Sequence, residues 1–458
     1  MNIKRIIGAN VIYNKLIEKN VTDVFIYSGG AIMPLVNCFY KGKINYYINS
    51  HEQNCGHAAT GYAKSTNKTG VCIVTSGPGL TNMITPILDA TNDSTPLIVF
   101  SGQVPLNCMG TNAFQECPAV EITKPITKWS YCIKDTREIP YVIDEAFKVA
   151  NNGKKGSVHI DLPKCVISNE YYNTKCNINY NNHLVENKTI DKEYIKTIAN
   201  VINESNKPVL YIGQGSKSSY LNIREIVKKG NIPITTTIHG MGIVDEEDKL
   251  SLEMLGMHGS VAANNSIQQS DCIISIGTRF DDRTTGNIDK YAPNAMKAGK
   301  EKRGGIIHCN INPKEIDNII EPHYKVQCDA ETFTTELLKH IQYKCRKIWL
   351  DQIYQWKIMN PFTYKRIINK IKTQDVIFEL NNQLSNKNLY ENTIISSGVG
   401  NHQMMAAQFI KWKYPNKFIT SGSLGVMGVG LPYAIGCQIG NPNSLVIDID
   451  GDGSFNHT

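Results

Sequence analysis

Short apolar runs rich in β-branched residues alternate with helix-length stretches in three parts of the chain, and most runs end in polar or glycine-rich turns. This alternation is typical of doubly wound parallel sheets, in which a helix connects one strand to the next. The predicted strands of the first part are VFIYSGG, YYINSHEQN, GVCIVTSGPG, TPLIVFSGQ and SVHIDLP. Those of the second are PVLYIGQG, IPITTTIHG, DCIISIGTRF, GIIHCNIN and YKVQCD, and those of the third lie in NTIISSGVGNHQ and SLVIDIDGDG.

The pattern predicts three α/β domains of the doubly wound class, joined by two linkers. We place the domains at 1–168, 193–342 and 375–458, with linkers at 166–192 and 342–374. The third part has room for about three strands, where a sheet of this kind has about five or six. The third domain is therefore predicted to be incomplete. Ligands of such sheets bind outside the carboxyl ends of the strands, so the polar turns there are the candidate sites.

The composition is that of a globular protein and bears on its cellular compartment. Hydrophobic residues make up 41% of the 458 positions and charged residues 19%, as in ordinary soluble domains. No apolar run reaches the roughly 18 residues of a membrane span, and residues 1–20 predict an amphipathic helix rather than a targeting peptide. The 13 cysteines include no Cys-x-x-Cys pair, which argues against zinc and disulfides and favours reduced thiols in the cytoplasm.

The charge pattern gives no sign of a nucleic-acid partner. The net charge is +7, and the basic residues are spread along the chain. The small basic cluster YKCRKIW at 343–349 is predicted to be a solvated face of the second linker. We therefore expect neither nucleic acid nor membrane as a partner.

Glu52 is the first residue with candidate chemistry. It follows a predicted strand and opens a predicted helix, EQNCGHAATGYAKS. One interpretation is an acidic residue that complements the positive end of the helix dipole. The other is a buried carboxylate that hydrogen-bonds a heteroatom of a cofactor. The glycines of the turn at 76–79 allow a ligand to approach the backbone closely, but such turns are common and leave both interpretations open.

The last residues of the chain carry a more specific pattern than the turn at 76–79. The apolar strand SLVIDI leads into a predicted helix start through Asp450, Gly451, Asp452, Gly453 and Ser454. A carboxylate among glycines suits a divalent cation that bridges a diphosphate, although a plain turn with an acidic tip also fits. In the preceding glycine-rich run, 421–430, Met427 is either a core residue or a flexible side chain that wedges a ligand into a bent shape.

Taken in order, HEQNCGHAATGYAK, TSGPGLTN, SGSLGVMGVGLP and IDGDGSF resemble the superfamily of thiamin-diphosphate decarboxylases and carboligases. Within it, the chain resembles the acetolactate synthase (acetohydroxyacid synthase) family in FQE at 114–116, EITKPITKW, MLGMHG, GTRFDDRTTGN and HQMMAAQF. The resemblance implies three domains of the thiamin-diphosphate-binding fold. It also implies the condensation of two pyruvate, or of pyruvate with 2-ketobutyrate, in branched-chain amino-acid biosynthesis.

The resemblance implies roles for individual residues. Glu52 matches the glutamate that hydrogen-bonds the pyrimidine N1′ and so favours the tautomer that takes the proton from the thiazolium carbon. Met427 matches the residue that supports the bent cofactor, and Asp452 matches the first side-chain ligand of Mg²⁺. The positions implied to line the reaction site or the substrate channel are Gly29, Gly30, Gln115 and Lys128. Further positions implied to hold thiamin diphosphate are Asn401, Gly425, Gly451, Gly453 and Ser454.

The family also carries a structural FAD in its central domain. The matching positions are Lys154, Gly213, Gly215, His258, Arg279, Asn310 and Asp329. Lys154 stands where the family has Arg, which loses a bidentate fork, and Asn310 stands where an acidic residue meets the ribose. Because Ser28, Asn401 and Met405 also depart from the family pattern, the retention of FAD is left open.

In the family, the metal-binding motif continues past the position of Thr458 to an Asn that completes the Mg²⁺ shell. We therefore expect a chain truncated at its C-terminus, with little or no activity alone. Two alternatives stay open: another thiamin-diphosphate decarboxylase or oxidase of 2-keto acids, and a non-catalytic remnant or half of a split enzyme. The resemblance implies a homodimer or tetramer whose active sites form between two subunits, and it allows a separate regulatory subunit.

Overall fold

The computed structural model describes residues 5–174, 184–185 and 190–457, and within them three sheets flanked by helices. The first sheet contains β1 (Asp23–Ile26), β2 (Asn45–Ile48), β3 (Gly70–Val74), β4 (Leu97–Gln103), β5 (Trp129–Cys132) and β6 (Ser157–Pro163). Its strands are all parallel, in the order β2-β1-β3-β4-β6-β5. Its helices are α1 (Gly8–Glu18), α2 (Met33–Phe39), α3 (Glu52–Thr66), α4 (Pro78–Thr81), α5 (Ile84–Asn92), α6 (Ala119–Thr123), α7 (Ile139–Asn151) and α8 (Lys164–Ser168).

The second sheet is also six-stranded and parallel. Its strands are β7 (Pro208–Ile212), β8 (Ile234–Thr236), β9 (Ser251–Met254), β10 (Cys272–Ile276), β11 (Gly305–Cys309) and β12 (Tyr324–Val326). They lie in the order β12-β11-β10-β7-β8-β9. The helices that accompany them are α9 (Lys192–Glu204), α10 (Tyr220–Gly230), α11 (Val261–Gln269), α12 (Asp282–Thr285), α13 (Pro293–Lys300), α14 (Ala330–His340), α15 (Lys347–Met359) and α16 (Thr373–Asn386).

The third sheet has three strands among the described residues. They are β13 (Thr393–Ser397), β14 (Phe418–Ile419) and β15 (Leu445–Ile449), in the order β14-β13-β15, with the helices α17 (Asn401–Phe409), α18 (Gly430–Gly440) and α19 (Asp452–Phe455). The α/β class and the three parallel-sheet domains are therefore confirmed. Each predicted domain contains one sheet, while the exact domain boundaries stay predictions.

The described residues form two compact units rather than three. One contains those of 1–184, 394–400 and 419–458, and the other those of 185–393 and 401–418. In the first unit, β3, β4 and β6 are buried along their whole length, as expected for parallel strands that helices cover on both faces. In the second unit the same is true of β7, β10 and β11.

Helices α3 and α18 of the first unit approach each other so closely that their backbones touch. A Cβ on Gly61 would lie 2.4 Å from the carbonyl oxygen of Tyr433, and one on Gly436 would lie 1.9 Å from the carbonyl oxygen of Ala58. Only glycine permits such an approach without displacing the backbone. The pairing fixes α3, whose first residue is Glu52, against α18, which follows the glycine-rich run.

The second predicted linker is wrong in two respects. It contains the helix α15, whose Trp349 and Ile353 are buried in a core cluster of the second unit. The predicted solvated face of the basic cluster holds for Lys347 and its exposed neighbours but not for Arg346, which is only 4% exposed. Its guanidinium donates hydrogen bonds to the carbonyl oxygens of Ile202, Ser205 and Gly230. In the first predicted linker, residues 175–183 and 186–189 lie outside the described residues.

The helices were also predicted to include no membrane span. In the described part of the chain, no helix combines the length and the apolar character needed to cross a bilayer.

Candidate functional site

Glu52 begins α3 as a largely buried carboxylate. It is 8% exposed, and its Oε2 accepts a hydrogen bond of 3.0 Å from Asn82 Nδ2. A Cβ on Gly79 would lie 3.7 Å from Oε1. Because one oxygen is bonded and the other borders a backbone without a side chain, Oε1 is placed to accept or share a proton with a ligand atom. A plain helix-dipole role does not require such burial.

Three turns meet around this carboxylate. A Cβ on Gly29, in the turn after β1, would lie 2.4 Å from Thr75 Oγ1, in the turn after β3. Gly77 has a φ of +59°, and a Cβ there would lie 2.9 Å from the carbonyl oxygen of Gln115. Gly30, by contrast, has no atom of the described residues within 4 Å of its missing Cβ. The structure therefore brings the predicted residues of these turns together at one sheet edge, beside open space.

Thr75 and Asn82 are the site residues that the sequence interpretation did not single out. Asn82 orients Glu52, and the buried Thr75 Oγ1 has no hydrogen-bond partner among the described residues. Such a buried, unpartnered hydroxyl is suited to a ligand or water. Both residues lie in the quoted motif TSGPGLTN, so the motif carried the signal, while their contacts depend on tertiary structure.

The second half of the candidate site lies around α19. Met427 is 41% exposed, so the structure excludes the core interpretation of this side chain. Its Cε is the atom nearest the missing Cβ of Gly453, at 3.4 Å. Gly425 has a φ of +73°, and in the described part of the chain Val399 Cγ1 is the one atom within 4 Å of its missing Cβ. These glycines leave the backbone beside Met427 accessible to a ligand.

The predicted metal and diphosphate positions differ in their burial and in their contacts within the protein. Asp452, the first residue of α19, and Gly453 are exposed. Ser454 is buried, and its Oγ accepts a hydrogen bond of 3.0 Å from the backbone of Gly428. Among the described residues no cluster of three His, Cys, Asp or Glu could hold a metal alone. One carboxylate still fits Mg²⁺ in a diphosphate complex, because phosphate oxygens and water supply most of its ligands.

A buried polar cluster supports the loop that carries Gln115. Gln103 Nε2 donates to the carbonyl oxygen of Cys117 at 2.8 Å and to Asp161 at 3.1 Å. Ser101 Oγ donates to Asp161 at 2.7 Å and lies 2.8 Å from His159 Nε2. Burial raises the pKa of Asp161 to about 6 and lowers that of His159 to about 3. Because Ser101 and His159 are fully buried, this trio has a structural role rather than a nucleophilic one.

Comparison with known proteins decides the family. Residues 6–122 match the N-terminal TPP binding domain of thiamine pyrophosphate enzymes, 195–337 their central domain and 398–458 their C-terminal TPP binding domain. The chain is 43% identical to the mitochondrial acetolactate synthase catalytic subunit of Saccharomyces cerevisiae, over 98% of this chain and 67% of the relative. It is 42% identical to the mitochondrial acetolactate synthase of Schizosaccharomyces pombe, over 98% and 70%.

The chain belongs to the acetolactate synthase family of thiamin-diphosphate-dependent enzymes. A plant relative, the chloroplastic acetolactate synthase 1 of Oryza sativa, is 38% identical over 98% of this chain and 69% of its own length. The chain thus spans about two thirds of the length of these acetolactate synthases. The predicted family is confirmed, and the roles of individual residues stay predictions.

Six of the FAD positions predicted from the acetolactate synthase resemblance follow strands of the second sheet, namely Gly213, Gly215, His258, Arg279, Asn310 and Asp329, whereas Lys154 precedes β6 of the first sheet. A Cβ on Gly213, after β7, would lie 2.3 Å from the carbonyl oxygen of Gly277, after β10. Asn310, after β11, donates from Nδ2 to the carbonyl oxygen of Thr278 at 2.7 Å and accepts from the backbone of Asn312 at 2.9 Å. These groups pack neighbouring turns together, so Gly213 and Asn310 serve the fold whether or not FAD binds.

The remaining FAD positions have varied surroundings. Asp329 accepts a hydrogen bond of 2.8 Å from the backbone of Glu331 and caps α14. The side chain of His258 is exposed, and its carbonyl oxygen accepts from Gln408 Nε2 at 2.9 Å. Arg279 and Lys154 are half-buried.

Lys128 and Asn401 are two further predicted positions. The Lys128 ammonium donates to the carbonyl oxygens of Val149 and Asn152, at the C-terminal end of α7. There it caps the helix and opposes the negative end of its dipole. Its substrate-channel role gains no support from these contacts and stays a prediction. Asn401 is exposed at the first residue of α17.

Proposed function

We propose that this chain acts as an acetolactate synthase. It would condense two pyruvate to 2-acetolactate with release of CO2, or pyruvate with 2-ketobutyrate to the corresponding acetohydroxy acid. The observation that carries the proposal is the buried Glu52 carboxylate, oriented through one oxygen by Asn82. The reaction is inferred from relatives that are named acetolactate synthase and that match 98% of this chain.

Thiamin diphosphate, when bound, supplies the nucleophilic carbon and accepts the electron pair released by decarboxylation. Glu52 Oε1 would hold a proton at a ring nitrogen of the cofactor, and Asn82 would keep the carboxylate in that orientation. Gly30 leaves space beside the turn at Gly29, and Gln115 packs against Gly77 in the turn after β3. These residues would orient the 2-keto acid.

Mg²⁺ and FAD complete the proposed cofactor set. Asp452 would give Mg²⁺ its first side-chain ligand, with diphosphate oxygens as further ligands. Gly425, Gly451, Gly453 and Ser454 would surround the diphosphate. FAD would lie at the carboxyl edge of the second sheet in a structural role, since the proposed condensation involves no net oxidation or reduction.

The proposal is tested by product analysis. The purified chain is given pyruvate, thiamin diphosphate, Mg²⁺ and FAD, and acetolactate, acetaldehyde and acetyl phosphate are measured. Acetolactate as the main product supports the proposal. Acetaldehyde or acetyl phosphate would instead favour a decarboxylase or an oxidase. Binding of thiamin diphosphate without turnover would favour the non-catalytic alternative.

Assembly and location are separate proposals. We propose a homodimer or tetramer, which light scattering after gel filtration would measure. The Saccharomyces relative is named a catalytic subunit, which makes a separate regulatory subunit a candidate partner. The cytoplasmic location stays a prediction, because the relatives named above are mitochondrial or chloroplastic.

A further inference from the structure

The start of the glycine-rich run is held by a buried ion pair. Asp93, at the C-terminal end of α5, accepts backbone hydrogen bonds from Gly422 at 3.1 Å and from Ser423 at 2.9 Å. Its Oδ2 also accepts from Lys64 Nζ at 2.7 Å, and the same ammonium donates to the carbonyl oxygen of Thr420 at 2.7 Å. Asp93 is 1% exposed. A buried pair of this kind is stable only when hydrogen bonds satisfy its remaining atoms, as they do here.

A second carboxylate of α5, that of Asp89, holds the next part of the glycine-rich run. Asp89 is fully buried and accepts hydrogen bonds from Tyr433 OH and, at 2.5 Å, from Ser421 Oγ. Ser421 Oγ in turn accepts from the backbone N–H groups of Gly425 and Val426, both at 3.1 Å. The Ser421 hydroxyl thus connects Asp89 to the two residues immediately before Met427.

These contacts restrain a segment that would otherwise be flexible. Gly425 and Gly428 have φ values of +73° and +83°, in a region that glycine visits easily and other residues rarely. Val426 N is bonded through Ser421 on one side of Met427, and Gly428 N is bonded to Ser454 Oγ on the other. The exposed Met427 side chain therefore projects from a backbone that is fixed at both neighbouring residues.

We propose that Lys64, Asp89 and Asp93 are positioning residues that hold the run 421–428 so that Met427 meets thiamin diphosphate in the bent form. The inference rests on the proposed function. The three residues act through the backbone of the run and through Ser421, and no direct contact with the cofactor is required.

Hydrogen exchange tests the anchoring without any cofactor. Backbone amides in a peptide spanning 421–428 are followed by mass spectrometry in the wild type, Ser421→Ala, Asp93→Asn and Ser423→Ala. Faster exchange is expected in Ser421→Ala and Asp93→Asn. Ser423→Ala is the matched control from the same run, because its hydroxyl donates to the carbonyl oxygen of Asn92 at 3.3 Å and its backbone N–H still reaches Asp93 in the variant. Equal exchange in all four proteins would overturn the inference.

Cofactor affinity tests the consequence of the anchoring. Calorimetric titration with thiamin diphosphate at fixed Mg²⁺ should give a Kd roughly tenfold weaker for Ser421→Ala than for the wild type. Asp144→Asn is the control, because Asp144 pairs with Lys15 and Lys19, far from the run in sequence. Ser421→Ala removes a single oxygen, so it keeps the test usable if Asp93→Asn fails to fold.

A double-mutant cycle separates positioning from general destabilisation. If Ser421 acts through Met427, Ser421→Ala should weaken binding less in a Met427→Ala background than in the wild type. Additive losses would overturn the inference. A wild type that binds, with Ser421→Ala binding equally well, would overturn this inference alone. A wild type that binds no thiamin diphosphate would overturn the proposed function and this inference together.

Discussion

The Glu52 carboxylate accepts a hydrogen bond of 3.0 Å from Asn82 through Oε2, and among the described residues this is the hydrogen bond that holds it. The two residues lie 30 positions apart, at the first turn of α3 and at the end of α4. Asn82 is neutral, so it orients the carboxylate without supplying a counter-ion. The arrangement leaves the second oxygen for a ligand and lets the carboxylate serve as a proton partner.

Glu52→Gln should remove most activity while keeping the fold. Glutamine retains the shape and an oxygen for Asn82 to bond, but it loses the proton-accepting carboxylate. Because acid–base groups typically contribute about 10²- to 10⁴-fold, acetolactate formation should fall by at least about 100-fold. Steady-state rates and thermal melting would be measured together. Glu18→Gln, at the surface beside Lys15, is the control, and a Glu52→Gln variant with near-normal rates would contradict the proposed role.

Lys128→Met should lower stability. The ammonium binds two carbonyl oxygens at the end of α7, and hydrogen bonds of charged groups contribute about 1.5–3 kcal/mol each at most. We expect a loss of about 1–3 kcal/mol, measured as the midpoint of urea unfolding. Lys124→Met, which changes an exposed lysine nearby, should have no such effect. A rise in the pyruvate KM of the folded Lys128→Met variant would support the substrate-channel prediction as well.

His159→Gln should change the pH dependence of unfolding. Burial lowers the pKa of His159 to about 3 from an ordinary 6.5, so between these values the unfolded chain binds more protons at this residue. Its contribution to stability is present above pH 6.5 and is lost as the pH falls, by up to about 1.4 kcal/mol per pH unit.

Asp161 has the opposite effect on the pH dependence of stability. The contribution of His159 is therefore isolated by comparing a variant with the wild type. The pKa of Asp161 is raised to about 6 from 3.8, so its contribution is present at low pH and is lost as the pH rises through 6. Urea midpoints at several pH values from 7.5 to 5 should fall less in His159→Gln than in the wild type. His258→Gln, with an exposed ring, should follow the wild type; parallel curves for all three proteins would refute the assignment.

Gly436→Ala should destabilise the pairing of α3 and α18. The added methyl group would lie 1.9 Å from the carbonyl oxygen of Ala58, and backbone cannot yield as a flexible side chain can. Overpacking of this kind costs about 1–3 kcal/mol or more. Gln438→Ala, at an exposed position of the same helix, is the control. Thermal melting would show the loss, and an unchanged melting temperature would mean that the helices separate at little cost.

All strands predicted from the sequence appear in the structure. Three strands of the structure are not predicted, and these three share a property. β5, β9 and β14 each lie at the edge of their sheet. β5 is only partly buried and β14 has two residues, so neither produces the long apolar run that marks a central strand. Helix α15 was missed for a related reason, because its buried residues are few and its exposed ones include Ile348 and Tyr354.

The sequence by itself determined the α/β class, the family and the residue types at both halves of the candidate site, because strand periodicity and glycine-rich turns are local properties of the chain. Only the tertiary structure decided that Asn82 orients Glu52, that Met427 is exposed, and that Lys128 caps a helix. It alone placed Lys64, Asp89 and Asp93 against the run at 421–428, more than 300 positions later. Such contacts depend on how helices pack, and no local pattern encodes which distant backbone groups a buried carboxylate will reach.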